Sequence, residues 1–493
     1  MNRVIEHMNN ETLRIDGGTV IGWNGEHHEL IPGGSVLISG DKITYVGYEK
    51  HQADQIIDAS GKLISPGFIN LHVHTQLNIG DYLICDVTKR DYLGANYFVY
   101  GAPPKERRAV QTKEAIKIGR EFSMLSALRN GSTTILDPGG GTGFYEDYVD
   151  AVDRIGLRSF FSPRYRSHDT FTDDRGGHYY EKRPDGGKRS FEEAMGFIEN
   201  YQSACDGRLQ AILNPNQVET CDSSMLQETA DLAKQMGLGI HIHAGGNARE
   251  FIEIVYRSQK SPIEYLSENG ILGPGTVVGH GVFLSGHSGM VYPVGDDIEL
   301  LAETGTTIGH CPHKYAKMGF AMESFDRYLN QGVNIGLGTD TYPLDIIAEM
   351  RYASRIARVK DSSHVAGRPA DTFNAATVWG ANALGRPDLG RIAPGTAADL
   401  VIINLANISY GPIRDPVTAL VDFGSGNDVE TVIVAGNIVI DRGQSTRVDQ
   451  SDIYDRAQVV ATEGWDHWAE HDWASRATET IAPASFPTRS RTS

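Results

Sequence analysis

The middle of the chain alternates between short apolar runs and longer amphipathic stretches. Windows such as Lys113–Leu128, Ser223–Met236 and Asp296–Glu303 repeat apolar residues at helical spacing, which indicates helices with one buried face. Strands that alternate with helices predict right-handed βαβ units and a parallel sheet. The eight candidate strands are Gly67–His72, Thr133–Asp137, Arg158–Ser162, Leu209–Asn214, Gly239–His243, Val277–Gly281, Thr307–His310 and Asn334–Gly338.

Both ends of the sequence show a different pattern, in which apolar and polar residues alternate in short segments between Gly, Asp and Asn turns. These predicted strands are Leu13–Ile15, Val20–Trp23, Ser35–Ser39, Ile43–Val46, Leu400–Ile403, Val417–Leu420, Val429–Val434 and Ile438–Ile440. We therefore predict an α/β protein, a (β/α)8 TIM barrel with a small β-sandwich domain formed from the N- and C-terminal segments. The predicted boundaries are 1–64 and 391–450 for the sandwich, 65–390 for the barrel, and 451–493 for a C-terminal helix and tail.

Composition and charge narrow the range of partners. The formal net charge is −18, whereas nucleic acids and anionic membrane surfaces are bound by basic patches. The four cysteines are scattered without a CxxC pair, which favours reduced thiols. We find neither a long apolar run nor an apolar leader near the N-terminus, so we expect a cytoplasmic protein with a small-molecule substrate and no membrane contact.

The first candidate strand ends in His72-Val73-His74. Alternate residues of a strand face the same side, so both imidazoles should point into one cavity. Such a pair suits Zn²⁺, Fe²⁺ or Co²⁺, but this motif alone is equally compatible with two surface histidines.

Further histidines and one aspartate also fall at the carboxyl ends of candidate strands. His241 and His243 end the fifth strand, His280 the sixth and His310 the seventh, and Asp340 follows the eighth. In a barrel these ends meet at one mouth, where catalytic groups collect. A carboxylate after an apolar strand is costly unless it binds a metal or a cation, so the pattern predicts a metal site.

The motifs occur in the order PGFINLHVH, HIHAGG, VGHGVFL, GHCP and GLGTDTYPLDIIAEMR, followed by the segments Ala375–Gly385 and Pro394–Leu400. Over residues 11–445 this order resembles the amidohydrolase superfamily, and within it the branch of atrazine chlorohydrolase, guanine deaminase and adenosine-type deaminases.

The resemblance implies one divalent metal ion, with Zn²⁺ expected first and Fe²⁺ or Co²⁺ as alternatives. It implies the ligands His72, His74, His243 and Asp340, with Asp340 also the proton acceptor and His280 beside the attacking water. No lysine ends the fourth strand, so a second bridged metal is not expected. Members of this family are often oligomeric, and we expect a homo-oligomer.

Three positions depart from the pattern of that branch. Gly246 stands where its deaminases carry the glutamate that protonates a ring nitrogen, and Asn216 replaces a substrate-binding histidine. The seventh strand is followed by His313-Lys314-Tyr315, where the branch often has a Ser-Asn pair after one variable residue. Further candidate pocket residues are the aromatic and basic side chains near strand ends, Tyr165, Arg166, Tyr315 and Tyr342.

Loss of the ring-protonating acid favours attack on an open-chain carbonyl, in an amide, urea or carbamate such as a phenylurea herbicide. This expectation places the chain near phenylurea hydrolase and molinate hydrolase, enzymes of xenobiotic degradation. One alternative is a deaminase or dechlorinase of a purine, pyrimidine or triazine ring, which would release ammonia or chloride. The other is an inactive scaffold, against which all four expected ligands are retained.

Overall fold

The computed structural model describes residues 11–76, 104–107, 112–140, 143–290, 292, 295–481, 483–487 and 489. Its strands, numbered β1 to β19, are Thr12–Trp23, His28–Ser39, Lys42–Gly47, Gln55–Asp58, Leu63–Pro66, Phe68–Asn70, Ser132–Asp137, Arg158–Phe161, His168–Thr172, His178–Lys182, Leu209–Gln210, Ile240–Ala244, Thr276–His280, Thr307–His310, Asn334–Leu337, Leu400–Ile403, Val429–Val434, Asn437–Asp441 and Gln444–Ser445. Its helices, numbered α1 to α15, are Lys113–Arg129, Tyr145–Ile155, Lys188–Tyr201, Ser223–Met236, Ala248–Ser258, Pro262–Glu268, Asp297–Thr304, Pro312–Lys317, Phe325–Asn330, Ile346–Lys360, Pro369–Ala375, Val378–Ala383, Pro416–Phe423, Gln450–Asp466 and Thr478–Ile481. Within these ranges no helix combines the length and the apolar character that crossing a bilayer requires.

Eight parallel strands form the central barrel. They pair as two four-stranded sheets, in the orders β11-β8-β7-β6 and β12-β13-β14-β15. Parallel bridges between Leu213 and Ile240 and between Val73 and Asp340 join the two sheets at both seams. Hydrogen bonds from Leu71 N to Leu337 O, 2.8 Å, and from His74 N to Asp340 O, 2.7 Å, close the barrel between its first and eighth strands. The architecture is the predicted (β/α)8 barrel with an additional small domain.

Some helices around the barrel begin at residues whose polar side chains cap them. Thr112 accepts a hydrogen bond from Ala115 N at the start of α1, and Asp222 accepts one from Met225 N at the start of α4. Such caps satisfy backbone donors that the first helical turn leaves unpaired. Helix α4 ends at Gly237, which adopts the left-handed conformation at φ 65°. The three amphipathic windows of the sequence correspond to α1, α4 and α7.

Strands from both ends of the chain form a single nine-stranded sheet beside the barrel. Strand β5 lies between β1, with which it pairs in parallel, and β16, with which it is antiparallel. Buried side chains from both segments, including Ile15, Val36, Ile64 and Ile402, pack into one apolar cluster. This core holds residues that are more than 300 positions apart in the sequence.

One predicted strand of the C-terminal segment is wrong. Residues Val417–Leu420 lie in helix α13, whose first residue is Pro416 and whose cap Asp415 accepts hydrogen bonds at its amino end. Proline at the first helical position together with an aspartate cap favours a helix over a strand. The hairpin of β9 and β10 was not predicted from the sequence.

The C-terminal helix α14 packs against α1 through Ile453, Ala457 and Ala461, which are buried. An ion pair of 2.6 Å between Arg456 Nη2 and Glu114 Oε1 joins the same two helices. The tail after the small domain is therefore attached to the barrel.

Candidate metal centre

His72 and His74 follow β6 directly and are both buried. Val73 between them forms a bridge with Asp340, so the extended backbone continues past Asn70 and both imidazoles face the barrel interior. The Asn70 side chain donates a hydrogen bond of 2.8 Å to Thr339 Oγ1 and accepts one of 3.1 Å from Thr339 N. These two bonds fix the end of the first strand against the end of the eighth.

His243, His280 and Asp340 reach the same mouth from the fifth, sixth and eighth strands. His280 and Asp340 have positive φ angles of 85° and 59°. A non-glycine residue seldom adopts this conformation, and such strain is concentrated at functional sites. In both cases the strand turns sharply at the residue whose side chain points into the mouth.

The side chains at the mouth converge within a few ångströms; they are those of His72, His74, His243, His280 and Asp340. His74 Nε2 lies 3.1 Å from His243 Nε2. Asp340 Oδ1 lies 3.8 Å from His72 Nε2 and 3.6 Å from His74 Nε2. On the other side of the carboxylate, Asp340 Oδ2 lies 3.7 Å from His280 Nε2. The structure thus brings together the predicted ligands His72, His74, His243 and Asp340, with His280 beside them.

The donor set fits a divalent cation. His72 Nε2 and Asp340 Oδ1 are buried without a hydrogen-bond partner, and a buried unpaired polar atom is costly. Burial lowers the pKa of His72 and His74 well below the ordinary value, and that of His243 to about 4. The imidazoles are therefore neutral, and neutral imidazole nitrogens with one carboxylate are ligands that zinc and similar cations prefer.

Two contacts orient the ligand imidazoles. His243 Nδ1 lies 2.7 Å from the carbonyl oxygen of Asn216, which can only accept, so Nδ1 carries the proton and Nε2 keeps its lone pair. His72 Nδ1 lies 2.9 Å from His241 Nε2, one layer deeper in the barrel. His241 therefore supports a ligand from behind, and Asn216 contributes its backbone to the centre.

Two residues beside the centre were not identified as candidates from the sequence. Cys311 follows the seventh strand, and its Sγ lies within 4.8 Å of ligand atoms of His72, His280 and Asp340. Burial raises the pKa of this thiol well above its ordinary value, which keeps it protonated. Lys314, in helix α8, places its ammonium against Asp340 Oδ2. Cys311 lies in the GHCP motif and Lys314 in the segment that departs from the branch pattern, but nothing local in the sequence indicates their contacts with the centre.

The predicted pocket residues occupy different surroundings. Tyr315 packs against His280 at 5.3 Å between ring centroids, and its hydroxyl donates a 2.8 Å hydrogen bond to Gly246 O. Tyr165 is fully buried, with its hydroxyl 2.9 Å from Thr229 Oγ1, and Arg166 pairs with Asp169 at 2.7 Å. The ring of Tyr342 lies 6.3 Å from that of Phe122. Of these four side chains, that of Tyr315 contacts a residue of the centre.

The turn after the fifth strand has no acidic side chain at position 246. A Cβ placed on Gly246 would lie 3.2 Å from His280 Cδ2, so a side chain there would face the centre. Glu250 is the neighbouring carboxyl, but it accepts hydrogen bonds from Gly245 N, 2.5 Å, and Gly246 N, 3.1 Å. Its two oxygens hold the turn, so Glu250 supports the backbone of the pocket.

A second buried carboxyl lies behind this turn. Glu219, in the turn after the fourth strand, is buried, and its Oε2 has no hydrogen-bond partner. Burial raises the pKa of Glu219 to about 7. Burial and the neighbouring Glu219 raise the pKa of Glu250 well above its ordinary value. These acids therefore favour their neutral forms.

Comparison with known proteins places the chain among enzymes of similar size. It is 31% identical over 465 residues to 5'-deoxyadenosine deaminase of Methanothermobacter thermautotrophicus, covering 92% of this chain and 99% of that protein. It is 32% identical over 435 residues to 5-methylthioadenosine/S-adenosylhomocysteine deaminase of Thermococcus kodakarensis, covering 87% and 94%.

Two solved structures share the fold. One is an adenosine deaminase from Xanthomonas campestris with bound zinc, at TM-score 0.76 and 20% identity, covering 92% of this chain and 98% of that one. The other is a mutant atrazine chlorohydrolase from Arthrobacter aurescens with zinc and atraton, at TM-score 0.77 and 21% identity, covering 91% and 100%.

Both sequence relatives are named as deaminases, which favours the ring-deaminase alternative over the open-chain hydrolase expected first. Phenylurea hydrolysis and xenobiotic degradation gain no support from them. The model of the amidohydrolase family matches residues 63–439. With its barrel, its candidate metal site and this match over most of its length, the chain belongs to the amidohydrolase family.

Proposed function

We propose that this protein is a zinc-dependent deaminase that hydrolyses an amino-substituted nitrogen heterocycle and releases ammonia. The observation that carries the proposal is the convergence of His72, His74, His243 and Asp340 at the barrel mouth. The full-length similarity to two nucleoside-type deaminases supports the heterocycle as substrate. A bound divalent cation supplies a water of lowered pKa and stabilises negative charge near it.

Asp340 and His280 supply the proton transfer and the hydrogen bonding that the reaction also needs. Asp340 is the only carboxylate among the described ligand groups, and it accepts the proton of the attacking water. Burial lowers the pKa of His280 well below its ordinary value, so its neutral ring can hold the incoming oxygen without repelling the cation. Asp340 then returns the proton to the leaving nitrogen. General acid–base catalysis of this kind contributes about 10²–10⁴-fold to the rate.

A second candidate is hydrolysis of an open-chain amide, urea or carbamate. The specific observation is Gly246, because the position that faces His280 carries no acid and Glu250 is engaged with the backbone. An open-chain carbonyl needs no proton on a ring nitrogen, so this reaction would tolerate the glycine. The two candidates differ in their products, which makes them separable.

The test is a turnover assay with zinc-loaded protein. The first panel contains adenosine, 5'-deoxyadenosine, 5'-methylthioadenosine and S-adenosylhomocysteine, with ammonia as the measured product. The second panel contains phenylureas, thiocarbamates and simple amides, with the released amine as the product. Ammonia release from the first panel that stops after chelation and returns with zinc supports the proposal.

His243→Ala serves as the control, since it should lose both the metal and the activity while keeping the circular dichroism of a folded barrel. Amine release from the second panel alone would replace the proposal by the second candidate. Full activity in metal-free protein would refute both.

A further inference from the structure

Lys314 brings a positive charge into the centre from outside the strands. Its Nζ contacts Asp340 Oδ2, and its side chain is only 11% exposed. Lysine is seldom buried unless its charge is paired, because desolvation of an ammonium is costly. Asp340, a predicted metal ligand, therefore also forms an ion pair with Lys314.

The place of Lys314 in its helix does not by itself call for a cation or exclude one. It is the third of the six residues of the helix Pro312–Lys317, so it lies in both the first and the last turn. Lys317 at the end of the same helix is exposed. What distinguishes Lys314 is that its ammonium contacts the carboxylate of Asp340.

The two oxygens of Asp340 face different groups. Oδ1 is the oxygen closer to His72 and His74, the first-strand ligand pair. Oδ2 faces His280 at 3.7 Å and contacts Lys314. Lys314 is therefore on the side of the carboxylate that receives the water proton, beside the histidine that holds the incoming oxygen.

Two departures from the pattern of the resembling branch meet at His280. Gly246 removes a carboxyl whose Cβ would lie 3.2 Å from His280 Cδ2. Lys314 adds an ammonium that contacts Asp340 Oδ2, the oxygen that lies 3.7 Å from His280 Nε2. The chain has lost an acidic donor and gained a cationic donor around the same imidazole.

We propose that Lys314 is a catalytic residue that donates a hydrogen bond from Nζ to the substrate heteroatom on which negative charge develops as water adds to the adjacent carbon. The proposal rests on the hydrolytic function proposed above, and it applies to a ring nitrogen and to a carbonyl oxygen alike. The ammonium keeps its proton throughout. It stabilises charge at the position of the donor that Gly246 no longer supplies.

The first test compares Lys314→Met with Lys314→Arg and with Lys317→Met, the matched control on the same helix. For whichever substrate is turned over, Lys314→Met should lower kcat by about 10²–10³-fold with little change in KM, as loss of a preorganised donor does. Lys314→Arg should recover part of the loss because it restores a charged donor. Lys317→Met should behave like the wild type.

The second test needs no turnover. Methylphosphonate, a small tetrahedral anion, is titrated calorimetrically into the zinc-loaded proteins, and their zinc content is measured in parallel. Lys314→Met should bind the anion roughly ten- to a hundredfold more weakly, as expected for loss of a charge-assisted hydrogen bond, while zinc content stays at the wild-type value.

Three results would overturn the role of Lys314. They are an unchanged kcat and anion affinity in Lys314→Met, a loss of anion affinity that only follows a loss of zinc, and a wild type that does not bind methylphosphonate. The second result would identify Lys314 as a structural partner of Asp340. Absence of turnover on every substrate would contradict the proposed function, whereas the titration would still decide on Lys314.

Discussion

The ends of the barrel strands and the turns that follow them differ in how closely they keep the family pattern. At the strand ends, His72, His74, His243 and Asp340 occupy the positions that the family resemblance implies. In the turns, Gly246 replaces a glutamate, and the segment after the seventh strand carries Lys314. The comparison teaches that the positions proposed to hold the metal keep the family pattern, whereas the positions proposed to meet the substrate do not.

The strand ends and the turns also differ in the hydrogen bonds that hold them. Strand ends are held by hydrogen bonds to strands on both sides, as His74 N and Asp340 N show across the barrel seam. In the turn after the fifth strand, Gly245 O accepts backbone hydrogen bonds from Val282 N and Phe283 N, whereas Gly246 is held by side chains, through its N–H to Glu250 and its carbonyl oxygen from Tyr315. A turn held by a few side chains can change its contacts without disturbing the barrel.

The largest expected effect lies at the strand ends. Asp340→Asn keeps the size of the side chain but removes the proton acceptor and a charged ligand. We expect turnover to fall by about 10³-fold or more, with bound zinc reduced and the circular dichroism of a folded barrel retained. The unfolding temperature should fall as well, because Lys314 loses its charged partner. Steady-state kinetics, elemental analysis, circular dichroism and calorimetry measure these quantities.

Asp231→Asn, an exposed change on helix α4, is the control for Asp340→Asn. Near-normal turnover in Asp340→Asn would show that its role is misassigned.

The next largest effect is expected at Glu219, in the turn after the fourth strand, and it concerns stability. Because the folded-state pKa of Glu219 is raised from 4.5 to about 7, its contribution to stability is most favourable below pH 4.5 and declines as the pH rises to about 7. Glu219→Gln should remove this decline and raise the free energy of unfolding at pH 8 by about 3 kcal/mol.

Urea denaturation at pH 5 and at pH 8 measures the effect of Glu219→Gln, with the exposed Glu228→Gln as control. A variant that is less stable than the wild type at pH 8 would contradict the prediction.

The departure at position 246 can be tested by restoring the acid. The φ of Gly246 is not in the left-handed region, and its nearest neighbours would be 3.2–3.4 Å from a Cβ, so a side chain requires only small shifts. Gly246→Glu should raise ammonia release from amino-heterocycles about tenfold over Gly246→Gln, which matches its size without the acid. Equal rates in the two variants would remove the argument that this position governs ring protonation.

The smallest effect is expected at the hydrogen bond across the turn. Tyr315→Phe loses the bond from the hydroxyl to Gly246 O and should lower the free energy of unfolding by about 1 kcal/mol. It should also raise KM modestly, because the turn beside His280 is less well held. Chemical denaturation and kinetics check both, with the exposed Tyr256→Phe as reference. An unchanged stability would mean that Gly246 O finds another donor.

The difference between the strand ends and the turns also explains what the sequence could predict. Barrel strands and ligand histidines follow from local patterns, because alternation and His-x-His spacing act within a few residues. The contact of Lys314 with Asp340 joins a helix to a different strand, and no spacing in the sequence encodes it. Val417–Leu420 has the composition of a strand, but Asp415 and Pro416 determine that it is helical. Tyr165 shows that an aromatic residue near a strand end can equally belong to the core.

The position of β5 in the small domain has a consequence for synthesis on the ribosome. Leu63–Pro66 needs Leu400–Ile403 as its neighbour, and the first barrel strand begins at Phe68, immediately after it. One edge of β5 therefore stays unpaired in the nascent chain until nearly all of the barrel has been translated. Such long-range pairing slows folding and leaves the edge of Leu63–Pro66 open to aggregation during that interval.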